Sequence, residues 1–195
     1  ERYVAYLNAL ERGDKNVKMN TAALVPYDIV HQYIHKYNID QTLELAWKNL
    51  EDFMGDMQGL VIADTSGSMF GTPIEVCLSL AIYIAEHNKN PEFKNKFITF
   101  SARPELQSLP EGSLYSKFNN LQNANWNMNT DFQKVFDLVL DRAKACNVPQ
   151  EDMPKMLIAI SDMEFDEANS GYYTGSNSLT NFELIEKRYA DAGYK

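Results

Sequence analysis

Residues 59–90, GLVIADTSGSMFGTPIEVCLSLAIYIAEHNKN, decide the fold class. Gly59 to Asp64 is a short, unbroken apolar run containing Val and Ile, the pattern of a strand buried on both faces. The DTSGSMFG stretch that starts at Asp64 is built mostly from small residues and reads as a loop. Beyond it, Thr72, Pro73 and Glu75 stand at cap, N1 and N3 spacing and predict a capping box. The helix they open is apolar almost all round and is expected to lie buried against a sheet. A buried strand, a tight loop and a buried helix make the first part of a parallel β-α-β unit.

The same alternation continues downstream. KFITFS (96–101) predicts a second strand, and ARPELQSLP (102–110) a short edge strand with turns at its prolines. SLYSKFNNLQNA predicts a short helix leading into the polar loop NWNMNT. In DFQKVFDLVLDRAKAC, the residues Phe132, Val135, Phe136, Val139, Leu140 and Ala143 fall on one helical face. KMLIAIS (155–161) predicts a third buried strand, ending at Asp162. Thr180 and Glu183 have capping-box spacing for a helix to about residue 189. The expectation is an α/β fold with a doubly wound, mostly parallel sheet flanked by helices over 56–195. A fold of that kind lays one more core strand after the last helix, so the final strand is expected to lie outside this chain.

Residues 1–55 read as a helical segment packing on or preceding the main domain. A first helix stops near Gly13. A second starts at Pro26 and carries Ile29, Val30, Tyr33, Ile34 and Tyr37 at helical spacing. A third is capped by Asp40 and carries Leu43, Ala46, Trp47, Leu50 and Met54. His31 and His35 are one turn apart, yet no third ligand lies nearby, and they read as ordinary helix residues.

Composition narrows the function. The net charge of -9 and the lack of a Lys/Arg run disfavour direct contact with nucleic acid. No apolar run approaches the roughly 18 residues of a membrane-spanning helix. The chain starts at Glu1 without a leader segment, which predicts a piece of something longer. Cys77 and Cys146 have no metal-ligand spacing, and no N-x-[ST] sequon occurs, so an intracellular, cytoplasmic protein is expected.

Three polar features fall where parallel sheets place their ligands, at the carboxyl ends of strands. They are Asp64, Ser66 and Ser68 after the first strand, Thr130 before the amphipathic helix, and Asp162 after the third strand. In a tight loop, positions one, three and five can converge on one point, with Gly67 allowing the sharp turn. Carboxylate and hydroxyl oxygens are hard ligands suited to Mg²⁺, with Mn²⁺ or Ca²⁺ as alternatives. Each residue also has an ordinary reading. Serines are common in turns, the aspartates could brace loops, and Thr130 with Gln133 has capping-box spacing.

Taken together, Asp64-x-Ser66-x-Ser68, Thr130 and Asp162 resemble the metal-ion-dependent adhesion site of von Willebrand factor A domains. The resemblance covers about residues 56 to 193. It implies that Ser66 and Ser68 coordinate the cation directly, that Asp64 and Asp162 act nearby through water, and that Thr130 binds directly or through water. It further implies that the sixth position takes a Glu or Asp carboxylate of a partner protein. ISDMEFDEA and ALVPYDIVHQYI are similar to an intracellular branch of that family, found in plants, fungi, bacteria and large DNA viruses. That branch is more distantly similar to Ro-type RNA-binding proteins.

The leading expectation is therefore a metal-dependent protein-binding module, not an enzyme. Trp126, Met128 and Glu164 are candidate partner contacts around the cation. One alternative is a phosphatase-like metal-dependent hydrolase using Asp64, disfavoured because Ser66 stands where a second acidic residue is usual. Another is a scaffold module of an RNA-associated, Ro-like protein.

Overall fold

The computed structural model describes residues 1–100, 103–123, 132–162 and 181–195. The N-terminal part contributes three helices: α1 (Arg2–Glu11), α2 (Pro26–Tyr33) and α3 (Gln41–Lys48). Strand β1 (Gly59–Asp64) leads through a 3-10 turn (Gly67–Met69) into the long helix α4 (Thr72–His87). Next come β2 (Lys96–Phe100), β3 (Glu105–Ser108), α5 (Leu114–Gln122), α6 (Phe132–Cys146), β4 (Met156–Ile160) and α7 (Asn181–Asp191). Among the described residues, no helix is long and apolar enough to cross a membrane.

The sheet has the order β3-β2-β1-β4. β1 runs parallel to both β2 and β4, while β3 is an antiparallel edge strand on β2. The α/β class and the mostly parallel sheet are as expected. The period of two along β1 explains how the sheet is covered on both faces. Val61 and Ala63 join a core with α2, α3, α4 and α5, through Val30, Tyr33, Trp47, Ile82 and Phe118. Leu60 and Ile62 turn the other way, to Ile98, Phe100, Val135, Val139 and Ala143. Helices therefore cover the central strand on both sides.

Several local expectations are corrected. The N-cap of α4 is Gly71, with Thr72 as the first helical residue and no side-chain cap. Glu75 does not close a capping box; its carboxylate meets His31 Nδ1 at 2.7 Å. The carboxylate thus meets a tertiary partner on α2, with the Glu75 side chain partly shielded from water. Helix α2 ends at Tyr33, so Ile34 and Tyr37 lie beyond it, and Tyr37 is exposed. Helix α3 is capped by Asp40, whose side chain accepts from the Thr42 and Leu43 amides, as its spacing predicts. It ends at Lys48, short of Leu50 and Met54, although both are buried.

The KMLIAIS stretch is a strand, but not one buried on both faces. Among the described residues β4 is the sheet edge, with Met156 and Ala159 exposed and the other strand residues half-buried. An apolar run reports suitability for burial, and it cannot report which strands lie on either side.

Candidate functional site

β1 delivers Asp64 to the carboxyl edge of the sheet, fully buried. Both carboxylate oxygens are engaged. Oδ1 accepts the Ser66 backbone N–H at 2.9 Å, and Oδ2 accepts the Ser161 hydroxyl. The first bond shapes the loop; the second ties it to the end of β4. Parallel pairing makes the second bond possible, since Ala63 is level with Ile160 and the next residues are Asp64 and Ser161. No basic side chain among the described residues pairs with Asp64.

The loop then turns outward. The Met69 amide donates to the Ser66 carbonyl at 3.0 Å, and the Phe70 amide to the Gly67 carbonyl at 3.3 Å. Met69 is buried and anchors this turn, leaving Gly67, Ser68 and Phe70 exposed. Ser66 Oγ and Ser68 Oγ stand 3.0 Å apart. That spacing suits one hydroxyl–hydroxyl hydrogen bond. It also matches two neighbouring ligands of an octahedral cation, which lie about 3 Å apart when each is about 2.1 Å from the ion. Thr65 Oγ1, next to Asp64, is buried without a hydrogen-bond partner among the described residues.

The structure thus brings Asp64, Ser66 and Ser68 together and sets the exposed Asp162 directly after Ser161 at the same sheet edge. Thr130, Trp126, Met128 and Glu164 lie outside the described residues. Among the described residues, no group of three or more His, Cys, Asp or Glu side chains is placed to hold a metal ion. A cation here would rely on hydroxyls as much as carboxylates. His31 lies on α2 and His35 beyond its end, and their rings meet edge-to-face at 6.5 Å.

Two residues escaped the sequence reading. Ser161 reads as the last residue of a strand, and only the β1–β4 register shows it bonded to Asp64. Phe70 sits in the motif loop, but its 91% exposure depends on Met69 taking the inward position.

Cys77 lies beneath the site on α4, fully buried, with Sγ donating to the Ile160 carbonyl at 3.6 Å. Burial pushes its thiol up to about 12; a bond to the Asp64 backbone pulls down, and the Asp64 charge pushes up. At pH 8 the group stays a neutral thiol, and thiolate is the reactive form. Cys146 is exposed. A colorimetric thiol titration is therefore expected to count one reactive cysteine in the native chain and two in denaturant. Two fast-reacting thiols under native conditions would contradict this placement.

The fold and loop define a class: an α/β domain with a hydroxyl- and carboxylate-lined turn at the carboxyl edge of its sheet. The family whose model matches residues 58–195 is described as a Domain of unknown function (DUF7788), and the chain belongs to that family. An uncharacterized protein of Acanthamoeba polyphaga mimivirus is 30% identical over 196 residues, covering 98% of this chain and 33% of the viral protein. The chain thus spans about one third of that relative's length. No solved structure matches the chain.

These findings correct the resemblance to von Willebrand factor A domains, its intracellular branch included. The family match is to DUF7788 and not to them. Asp, Ser and Thr at the carboxyl ends of parallel strands are a general property of open α/β sheets. A short motif in that position reports local chemistry and does not establish kinship.

Proposed function

We propose that this chain is a metal-dependent protein-binding module. In this reading Asp64, Ser66, Ser68, Thr130 and Asp162 hold a divalent cation, Mg²⁺ first, with one position left for a carboxylate of a partner protein. The observation that carries the reading is the accessible Ser66–Ser68 hydroxyl pair held above a buried Asp64 whose two oxygens are both occupied. Asp64 shapes the turn and is a poor nucleophile in that position, which favours binding over hydrolysis. The net charge of -9 suits cation capture and disfavours direct nucleic-acid contact. The two free cysteines favour an intracellular setting.

Calorimetric titration of Mg²⁺ and Mn²⁺ into the wild-type chain and into Ser66→Ala/Ser68→Ala tests the site. Binding in the wild type and none in the double variant is expected, with unchanged circular dichroism. Equal binding by both would sink the proposal. Loss of a captured partner with EDTA and with Asp162→Ala would extend it to the bridging carboxylate.

A further inference from the structure

We infer that Phe70 is the apolar contact of the partner surface, and that the partner is a peptide segment bearing one carboxylate beside an apolar side chain. The carboxylate half rests on the cation reading above; the apolar half stands on Phe70 itself. Most large apolar side chains among the described residues are at least partly buried, yet this ring is 91% exposed, matched only by Tyr37 at 90%. Its exposure is built into an ordered turn. Met69 is anchored inward, the Phe70 amide is bonded to Gly67, and Gly71 follows at φ +91. That backbone angle favours glycine, so the chain reversal after Phe70 is encoded in the sequence. Thr72 and Pro73 are exposed alongside. A polar residue at position 70 would serve the isolated fold as well. An ordered, outward aromatic next to a candidate ligand turn is what an interface anchor requires.

The dimensions limit the partner. Ser68 and Phe70 are two residues apart, so their Cα atoms are at most about 7 Å apart. A single peptide segment reaching both therefore carries its carboxylate and its apolar side chain within a few residues of each other. Because the chain carries a net charge of -9, several acidic residues in the partner segment would be repelled. A single acid with neutral or basic flanks fits.

The test is to pan a random peptide display library on the 195-residue chain, once in Mg²⁺ and once in EDTA, and to measure selected peptides on Phe70→Ala and Phe70→Tyr. Calorimetry with Mg²⁺ alone runs in parallel. The expected Mg²⁺-selected peptides pair one Asp or Glu with an apolar residue within a few positions. Phe70→Ala weakens them about tenfold or more, Phe70→Tyr retains them, and neither variant changes Mg²⁺ affinity or melting temperature. Selected peptides that bind Phe70→Ala as tightly as wild type overturn the inference, as does a carboxylate consensus with no apolar neighbour. If the wild type binds no Mg²⁺, the cation reading fails separately. EDTA-selected peptides that still depend on Phe70 then uphold its role as the apolar contact. No Phe70-dependent peptide in either arm overturns it.

Discussion

Asp64→Asn is expected to leave the melting temperature in EDTA unchanged or higher, and to abolish the stabilisation that Mg²⁺ gives the wild-type chain. Asp64 is a fully buried carboxylate with no basic partner among the described residues. Burying an ionised group without a counter-charge opposes folding, and the two hydrogen bonds it accepts offset only part of that. Asparagine keeps the shape and one oxygen for the Ser66 amide, and the Ser161 hydroxyl can rotate to accept from the new amide nitrogen. What it removes is the negative charge beneath the Ser66–Ser68 pair. A ligand at one hundred times its dissociation constant stabilises a fold by about 2.7 kcal/mol. That increment, read as a shift in melting temperature between EDTA and saturating Mg²⁺, should be present in the wild type and absent in the variant. A variant that melts far below the wild type in EDTA would show that Asp64 is a structural brace. An undiminished Mg²⁺ response would show that its charge does not serve a cation.

The second large effect lies away from the site. Glu44→Ala is expected to destabilise the chain by about 3–5 kcal/mol, because one carboxylate accepts three hydrogen bonds. The Tyr33 hydroxyl donates to it at 2.7 Å, and the Leu114 and Tyr115 amides at 2.7 and 3.1 Å. Those two amides open α5, so Glu44 on α3 supplies negative charge at the start of another helix. At about 2–4 °C per kcal/mol for a chain of this size, the melting temperature should fall by roughly 10 °C. Glu44→Gln should fall between, since an amide offers one acceptor atom where the carboxylate offers two. The same contact has a pH signature. Burial first, and the bond to Glu44 second, raise the Tyr33 hydroxyl well above its ordinary range. A folded pKa above the unfolded value means that this contribution is intact below about pH 10 and is lost as the pH rises further. A drop under 1 kcal/mol in Glu44→Ala would show the network to be surface decoration.

Periodicity carried the fold a long way. The apolar run of β1 and the all-round apolar α4 were legible because burial on both sides leaves almost no polar position, and the structure buries both. Asp40 was readable as a cap because its partners are two and three residues away. Features built by distant pairing were not. Glu75 has the local spacing of a capping box, yet it pairs across 44 residues with His31. The edge position of β4 follows from sheet order, which no window of sequence contains. At the candidate site, the oxygen-rich loop was visible because its residues are consecutive. Ser161 was not, because its place beside Asp64 depends on register across 97 residues. The family resemblance failed for a related reason: the motif encodes a local turn, whereas kinship is carried by the whole chain.

The shared core on the α4 face has a consequence for where this protein can be cut. The family match starts at residue 58, but Ile29, Val30, Tyr33, Ala46 and Trp47 fill the same core as Val61, Ala63, Cys77 and Ile82. Trp47 Nε1 also donates to Glu86 on α4 at 2.6 Å, and Glu86 in turn pairs with Lys117 on α5. A fragment trimmed to 58–195 would turn one whole side of its longest buried helix towards water. The start of the family model therefore runs through a shared core, whereas the viral relative matches 98% of the chain, and the residues before 58 act as the missing wall of the domain that follows them.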